Sequence, residues 1–175
     1  MLAAVAVMAV MAAIVLPSMS GGAVMNLEAV AQVLVSDLAL AQNSAIQYNT
    51  EWSVQFNLAQ NTYTLVQTGT GTAPPLQNPL ASSTASGYVV SLDQVGAAGS
   101  NHSGVKLAAV YTGTSAQPVT DIRFQALSGT GPLRSQDTVI WLSQGAGSQT
   151  RFVRLTVSWI TGQTWVDYPT VFGPS

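Results

Sequence analysis

His102 is the single histidine in the chain, and no cysteine accompanies it. A histidine serves as a metal ligand or general base only when carboxylates, thiolates or a nucleophile stand at suitable spacing around it. His102 lies instead in GAAGSNHSGV, a Gly/Ser-rich stretch that reads as a solvated loop, and the acidic residues are scattered. No serine sits in a GxSxG elbow, and the TGTGT segment is read as neither following a strand nor opening a helix, as a phosphate loop would. Asn101-His102-Ser103 matches a glycosylation sequon, a match short enough to arise by chance. The sequence thus leads us to expect no catalytic residue, no metal site and no cofactor.

Recognition is a better prospect than catalysis. Trp52, Trp141, Trp159 and Trp165 each offer a broad apolar face and one N–H, a combination that can stack on a sugar and that sheet cores also bury. Trp52 and Trp159 fall within expected strands and are read as core. Trp165, nearer the C-terminal edge, is read as less covered. The charge pattern narrows the partners. The formal net charge is −2, and the basic residues Lys106, Arg123, Arg134, Arg151 and Arg154 all fall in the second half, so no general attraction to nucleic acid is expected. Charged residues are 7% of the chain, against ~25% in typical soluble proteins, and Ser, Thr, Gln, Asn and Gly supply the polarity instead. Such a surface repels like copies weakly, which favours self-association and an extracytoplasmic setting.

The elements that must position any site are a helix and then a set of strands. Met1–Leu16 (MLAAVAVMAVMAAIVL) contains no polar side chain. As a helix these residues span about 24 Å, short of the ~30 Å hydrocarbon core, so the expectation is either that the helix continues through Pro17 to Met25 or that a few further residues belong upstream. Leu2, Val5, Val7, Val10, Ile14, Val15 and Leu16 contribute about 3 kcal/mol toward membrane insertion, with no charge opposing it. Beyond Asn26, Leu27, Ala31, Leu34, Leu38, Ala41, Ala45 and Tyr48 recur at helical spacing and form one apolar stripe, while Glu28, Gln32, Ser36, Asn43 and Gln47 lie elsewhere. Glu28, the first charge, reads as a solvated group at the membrane boundary. The whole rod would be about 70 Å long, with a possible kink at Pro17.

After Asn49 the period changes from 3.6 to 2. Trp52, Val54 and Phe56 alternate with Ser53, Gln55 and Asn57, and a turn through Leu58–Asn61 leads to Tyr63 and Leu65. Further strands are expected at Tyr88–Leu92, Val105–Tyr111, Asp121–Ala126, Thr138–Leu142, Arg151–Ile160 and Thr164–Asp167, the last pair joined by Thr161-Gly162-Gln163 with glycine free to take positive φ. The long connection over 67–86 has the composition of a mobile loop. These signals predict an α+β protein: residues 1–25 a membrane-inserted half-helix, 26–49 its amphipathic continuation, and 50–175 an antiparallel β-sheet or sandwich head on which the helix packs.

MLAAVAVMAVMAAIVLP, DLALAQNSAIQYNTEWSVQF (Asp37–Phe56) and RFVRLTVSWITGQTWVD (Arg151–Asp167), in that order, resemble type IV pilin-like proteins of the GspH/FimT group of minor pilins and pseudopilins. The first stretch resembles the pilin membrane helix just past its hallmark glutamate, with Pro17 placed like the family's kink proline. The second is similar to the helix end and first strand, and the third to the closing hairpin. The family's processing site, basic leader and hallmark glutamate do not occur in these residues, which implies a start that is set too far downstream or trimmed. Gln163 and Trp165 stand where some FimT-like pilins carry DNA-binding arginines, so DNA uptake is not implied.

The resemblance implies a non-enzymatic subunit anchored in a bacterial inner membrane. Leu2, Val5, Val7, Val10, Ile14, Leu16 and Pro17 would form the membrane and assembly helix, and Leu27, Ala31, Leu34, Leu38, Ala41 and Ala45 would pack on the head. Its expected partners are other pilin-like subunits, the filament assembly platform and membrane lipid. The alternative reading is a membrane-tethered, monomeric β-sandwich module binding glycans.

Overall fold

The computed structural model describes residues 21–78, 87–95, 104–113, 116–126, 129–130 and 134–170. The anchor residues Leu2, Val5, Val7, Val10, Ile14, Leu16 and Pro17 lie outside these, as does His102.

Helix α1 runs over Gly21–Gln47. Its end is set by a residue type as well as by the loss of periodicity. Asn49 takes a left-handed φ of 48°, the Thr50 N–H donates to the Ala45 carbonyl at 3.2 Å, and the Asn49 N–H to that of Ile46 at 3.4 Å. This is the paired closure that satisfies the last carbonyls of a helix, with asparagine in the place more often held by glycine. The chain then turns directly into the first strand.

Among the described residues the strands are β1 (Trp52–Asn57), β2 (Thr62–Gln67), β3 (Tyr88–Ser91), β4 (Val105–Thr112), β5 (Gln117–Pro118), β6 (Asp121–Phe124), β7 (Thr138–Gln144), β8 (Arg151–Val157) and β9 (Thr164–Thr170). They pair antiparallel in two sheets, one ordered β3-β2-β1-β6 and the other β5-β4-β7-β8-β9. The chain changes sheets between β5 and β6, within Val119 and Thr120. There the Val119 N–H still donates to the Val110 carbonyl in one sheet, while the Thr120 carbonyl already accepts from Phe56 N–H in the other.

Alternation decides what each sheet buries. Trp52, Val54, Phe56, Tyr63, Leu65, Val90, Ile122 and Phe124 point inward from the first sheet, and Val105, Leu107, Ile140, Leu142, Val153, Leu155 and Val157 from the second. The helix contributes to the same core, so three layers of apolar side chains close on one another. Asn61, in a left-handed turn (φ 54°), joins the sheets through its side chain. Its amide donates to the carbonyl of Val105 at 2.8 Å and to Asp93 at 2.9 Å, and its oxygen accepts from the Leu107 N–H at 2.8 Å. Arg134 forms a second link, donating to Thr138 of β7 and to both the carbonyl and the carboxylate of Asp121 in β6.

Three sequence expectations are corrected here. Trp159 is 39% exposed rather than core, because β8 stops at Val157 and the chain coils at Ser158–Gly162, with the Gly162 N–H donating to the Ser158 carbonyl at 2.9 Å. The period-2 alternation ends before Trp159 is reached. The segment 68–78 is not a free loop: Thr68 and Gly69 N–H groups donate to the Glu51 carbonyl, the Gln67 amide donates to the Gly69 and Gly71 carbonyls, and Ala73 and Leu76 pack on the core. A Cβ on Gly69 would lie 2.4 Å from the Thr50 hydroxyl, so glycine is what lets the segment come this close. Finally, β5 is an additional short strand at Gln117–Pro118.

Candidate functional site

The feature that sets this molecule apart is the seam between α1 and both sheets. Leu27, Val30, Ala31, Leu34, Ala41 and Ala45 are fully buried and Leu38 is 1% exposed, so the apolar stripe is consumed by the head. Alanine recurs on the stripe where the helix must come close to strands. Valine 30 belongs to it too, one residue ahead of Ala31. Tyr48, at the stripe's end, is only half-buried.

Asp37 interrupts this apolar face. It is 5% exposed and accepts a hydrogen bond on each oxygen, from the Tyr63 hydroxyl of β2 at 2.5 Å and from the Tyr88 hydroxyl of β3 at 2.7 Å. A carboxylate removed from water needs such charge-assisted bonds to offset its desolvation. Two phenols on neighbouring strands, with Leu65 directly opposite Tyr88 in the register, provide them. Asp37 thereby fixes the rotation of the helix against the first sheet. The signal for it in the sequence was an acid standing between Leu34 and Leu38 on the buried face, a place where only a partnered charge is tolerated.

Both phenol groups are pushed up from their ordinary value of 10.0, each chiefly by burial and then by the Asp37 carboxylate. The folded protein keeps these protons at pH values where the unfolded chain has released them. Their contribution to stability is therefore complete below pH 10 and is lost as the pH rises beyond it. We expect a urea midpoint that is level between about pH 7 and pH 9 and falls above about pH 10, with a shallower alkaline fall in Tyr63→Phe. An identical alkaline slope in Tyr63→Phe and the parent would assign the fall to other groups.

The opposite flank of the helix is held by the closing hairpin. The Gln42 amide donates to the Thr161 carbonyl at 2.6 Å, and the Gln32 amide donates to the Tyr168 hydroxyl. Gly162 has φ +71°, so the turn favours glycine, and a Cβ there would lie 2.7 Å from the Gln42 amide nitrogen and push that side chain aside. Outward, the helix presents Ala29, Gln32, Ser36, Ala39, Asn43 and Ile46, small or neutral side chains, with Val33 and Leu40 half-covered beside them. Asn26–Gln47 is long and apolar enough to cross a membrane by length and composition, yet 44% of its most apolar window is buried in the head.

The remaining sequence candidates separate. Trp52 is 2% exposed within the core and Trp141 8% exposed on the outside of the second sheet, whereas Trp165 is 47% exposed. Among the described residues no group of His, Asp and Glu could hold a metal ion. Glu28 is half-buried at the start of the stripe.

Among the described residues one helix is laid across two antiparallel sheets, an α+β architecture with the apolar face of the helix sealed and its outer face uncharged. No family model matches the chain, and no curated protein matches it either. Among solved structures the chain is similar to the type IV minor pilin FimU of Pseudomonas aeruginosa strain PAO1, with a TM-score of 0.50 and 16% sequence identity over 81% of this chain and 87% of that one. A second crystal form of FimU gives a TM-score of 0.48 at 16% identity, covering 80% of this chain and 91% of that one. The likeness is one of fold, and the fold is pilin-like.

Proposed function

We propose that the protein is a membrane-anchored, non-enzymatic pilin-like subunit, a minor type IV pilin or a minor pseudopilin of type II secretion. It assembles through its N-terminal helix into a surface or periplasmic filament, with its anchor in a bacterial inner membrane. The observation that carries this reading is the division of labour along the rod. Over Leu27–Ala45 the apolar stripe is used up by the head. Met1–Leu16 carries no polar side chain, so a helix over these residues would be apolar on every side. Lipid and other copies of such a helix are what can cover it, and Ala3, Ala4, Ala6, Ala9, Ala12 and Ala13 allow helices to approach closely. The partners are then other pilin-like subunits, the assembly platform and membrane lipid.

The test is crosslinking in membranes. Single cysteines placed between Ala6 and Ala13 are expected to crosslink to another pilin-like subunit, most of all a heterologous one, when the assembly machinery is present. The full chain should fractionate with membranes, and a version starting at Asn26 should be soluble and monomeric. Val10→Arg should cost about 2.5–3.5 kcal/mol of insertion, comparable to the whole gain. Crosslinks at the level of random collision, with the machinery present or absent, would favour a tethered binding module instead. Full-length protein in the soluble fraction without detergent would sink the anchor.

A further inference from the structure

We propose that the outer face of the five-stranded sheet, at the cleft beside Trp159, binds a neutral oligosaccharide. The strand register builds this face. Tyr111, Val139, Thr156 and Trp165 stand side by side across β4, β7, β8 and β9, and Ala109, Trp141, Arg154 and Asp167 form the adjacent row. Rings and hydrogen-bonding groups are thus interleaved on one surface. At one end of it lies a cleft of about 660 Å³ whose walls include Tyr111, Gln136, Asp137, Arg154, Thr156 and Trp159. That volume is in the range of small-ligand sites, about 300–1,000 Å³.

The Trp141 ring and the Trp159 backbone are held in place before any ligand arrives. Trp141 donates its indole N–H to the Tyr111 hydroxyl at 2.8 Å and meets Phe152 edge-on, with centroids 6.1 Å apart and planes at 83°. The backbone of Trp159 is tied down by its N–H, which donates to the Asp137 carboxylate at 3.0 Å, while its side chain stands 39% exposed at the cleft.

The charge of the cleft selects the ligand. Arg154 is the cation of the wall and is paired with Asp167 at 2.5 Å, while Asp137 supplies an anion. Arg154 and Asp167 offset each other and Asp137 leaves one net negative charge, so a phosphate or carboxylate ligand is repelled rather than drawn in. A polyol can use each of them, together with Gln136 and Thr156, as hydrogen-bond partners and lay its C–H face on an exposed ring. A protein partner would instead favour a flatter patch with a desolvated apolar centre. The outer face of the other sheet also carries a groove, of about 910 Å³, but its walls of Gln55, Asn57, Thr62 and Thr64 include no exposed aromatic ring.

Full-length protein in a detergent without a sugar headgroup, with its tryptophan indole N–H signals resolved by NMR, provides the test. Maltotriose, cellotriose and triacetylchitotriose are the probes, each titrated to about 10 mM, the weak end of specific binding. At least one is expected to shift the Trp159 signal saturably while Trp52, inside the core, stays still. Trp159→Ala should weaken that binding at least about tenfold with the Trp52 signal unchanged. No saturable shift with any of the three sugars, or equal shifts at all four indoles, would overturn the proposal. Shifts at Trp159 that follow protein concentration rather than sugar would also overturn it, in favour of a contact between subunits.

Discussion

Asp37→Leu is expected to destabilise the head by about 3 kcal/mol or more, although leucine is apolar and the site is buried. The loss comes from what the carboxylate leaves behind. Tyr63 and Tyr88 both donate to Asp37, at 2.5 and 2.7 Å, and Tyr63 is 1% exposed. A buried donor without an acceptor costs about 1–3 kcal/mol, and two are created at once. The combined variant Asp37→Leu/Tyr63→Phe/Tyr88→Phe removes the orphaned hydroxyls with the acid, and should recover most of the stability. Urea unfolding of the single and triple variants gives the comparison. A triple variant no more stable than Asp37→Leu alone would mean that the trio is not one coupled unit.

Leu38→Ala is expected to cost about 2–5 kcal/mol, lowering the melting temperature of the head by roughly 5 to 15 °C. Leu38 is 1% exposed and belongs to the core that the helix shares with the sheets, so truncation would leave a cavity among buried side chains. Ser36→Ala, on the exposed side of the same turn, should change the melting temperature by no more than a degree or two. Calorimetry of the two variants tests how the helix is divided. Equal and small effects would mean that the helix projects freely and that the fold is held by the sheets alone.

Much of this architecture was legible from short-range patterns. The helix stripe follows from apolar residues recurring at steps of three and four, and its end falls where Trp52, Val54 and Phe56 begin to alternate. The closing turn was marked by Gly162, whose φ of +71° is of the kind glycine adopts without strain. Trp159 was misread because alternation was carried past Val157, where the strand had already ended. The pairing runs out at Val157 opposite Thr138, and beyond it the Trp159 N–H goes to the Asp137 carboxylate, 22 residues away, a partner that alternation along the chain does not reveal.

Periodicity records which face of an element is apolar, because each side chain's direction is set by its own backbone. The sequence alone therefore determined a helix with one sealed stripe, a β head with alternating strands, and an apolar run with no charge to keep it out of lipid. Pairing depends on contacts between distant segments, and these came only with the tertiary structure. It decided that β6 returns beside β1 while β4, β5 and β7 join the other sheet. It decided that residues 68–78 dock on Glu51 and Thr50 rather than run free. It brought Tyr63 and Tyr88 to Asp37 across separations of 26 and 51 residues. And it placed Trp165 beside Thr156 on one face, because strand register, which spacing along the chain does not encode, sets which side chains become neighbours.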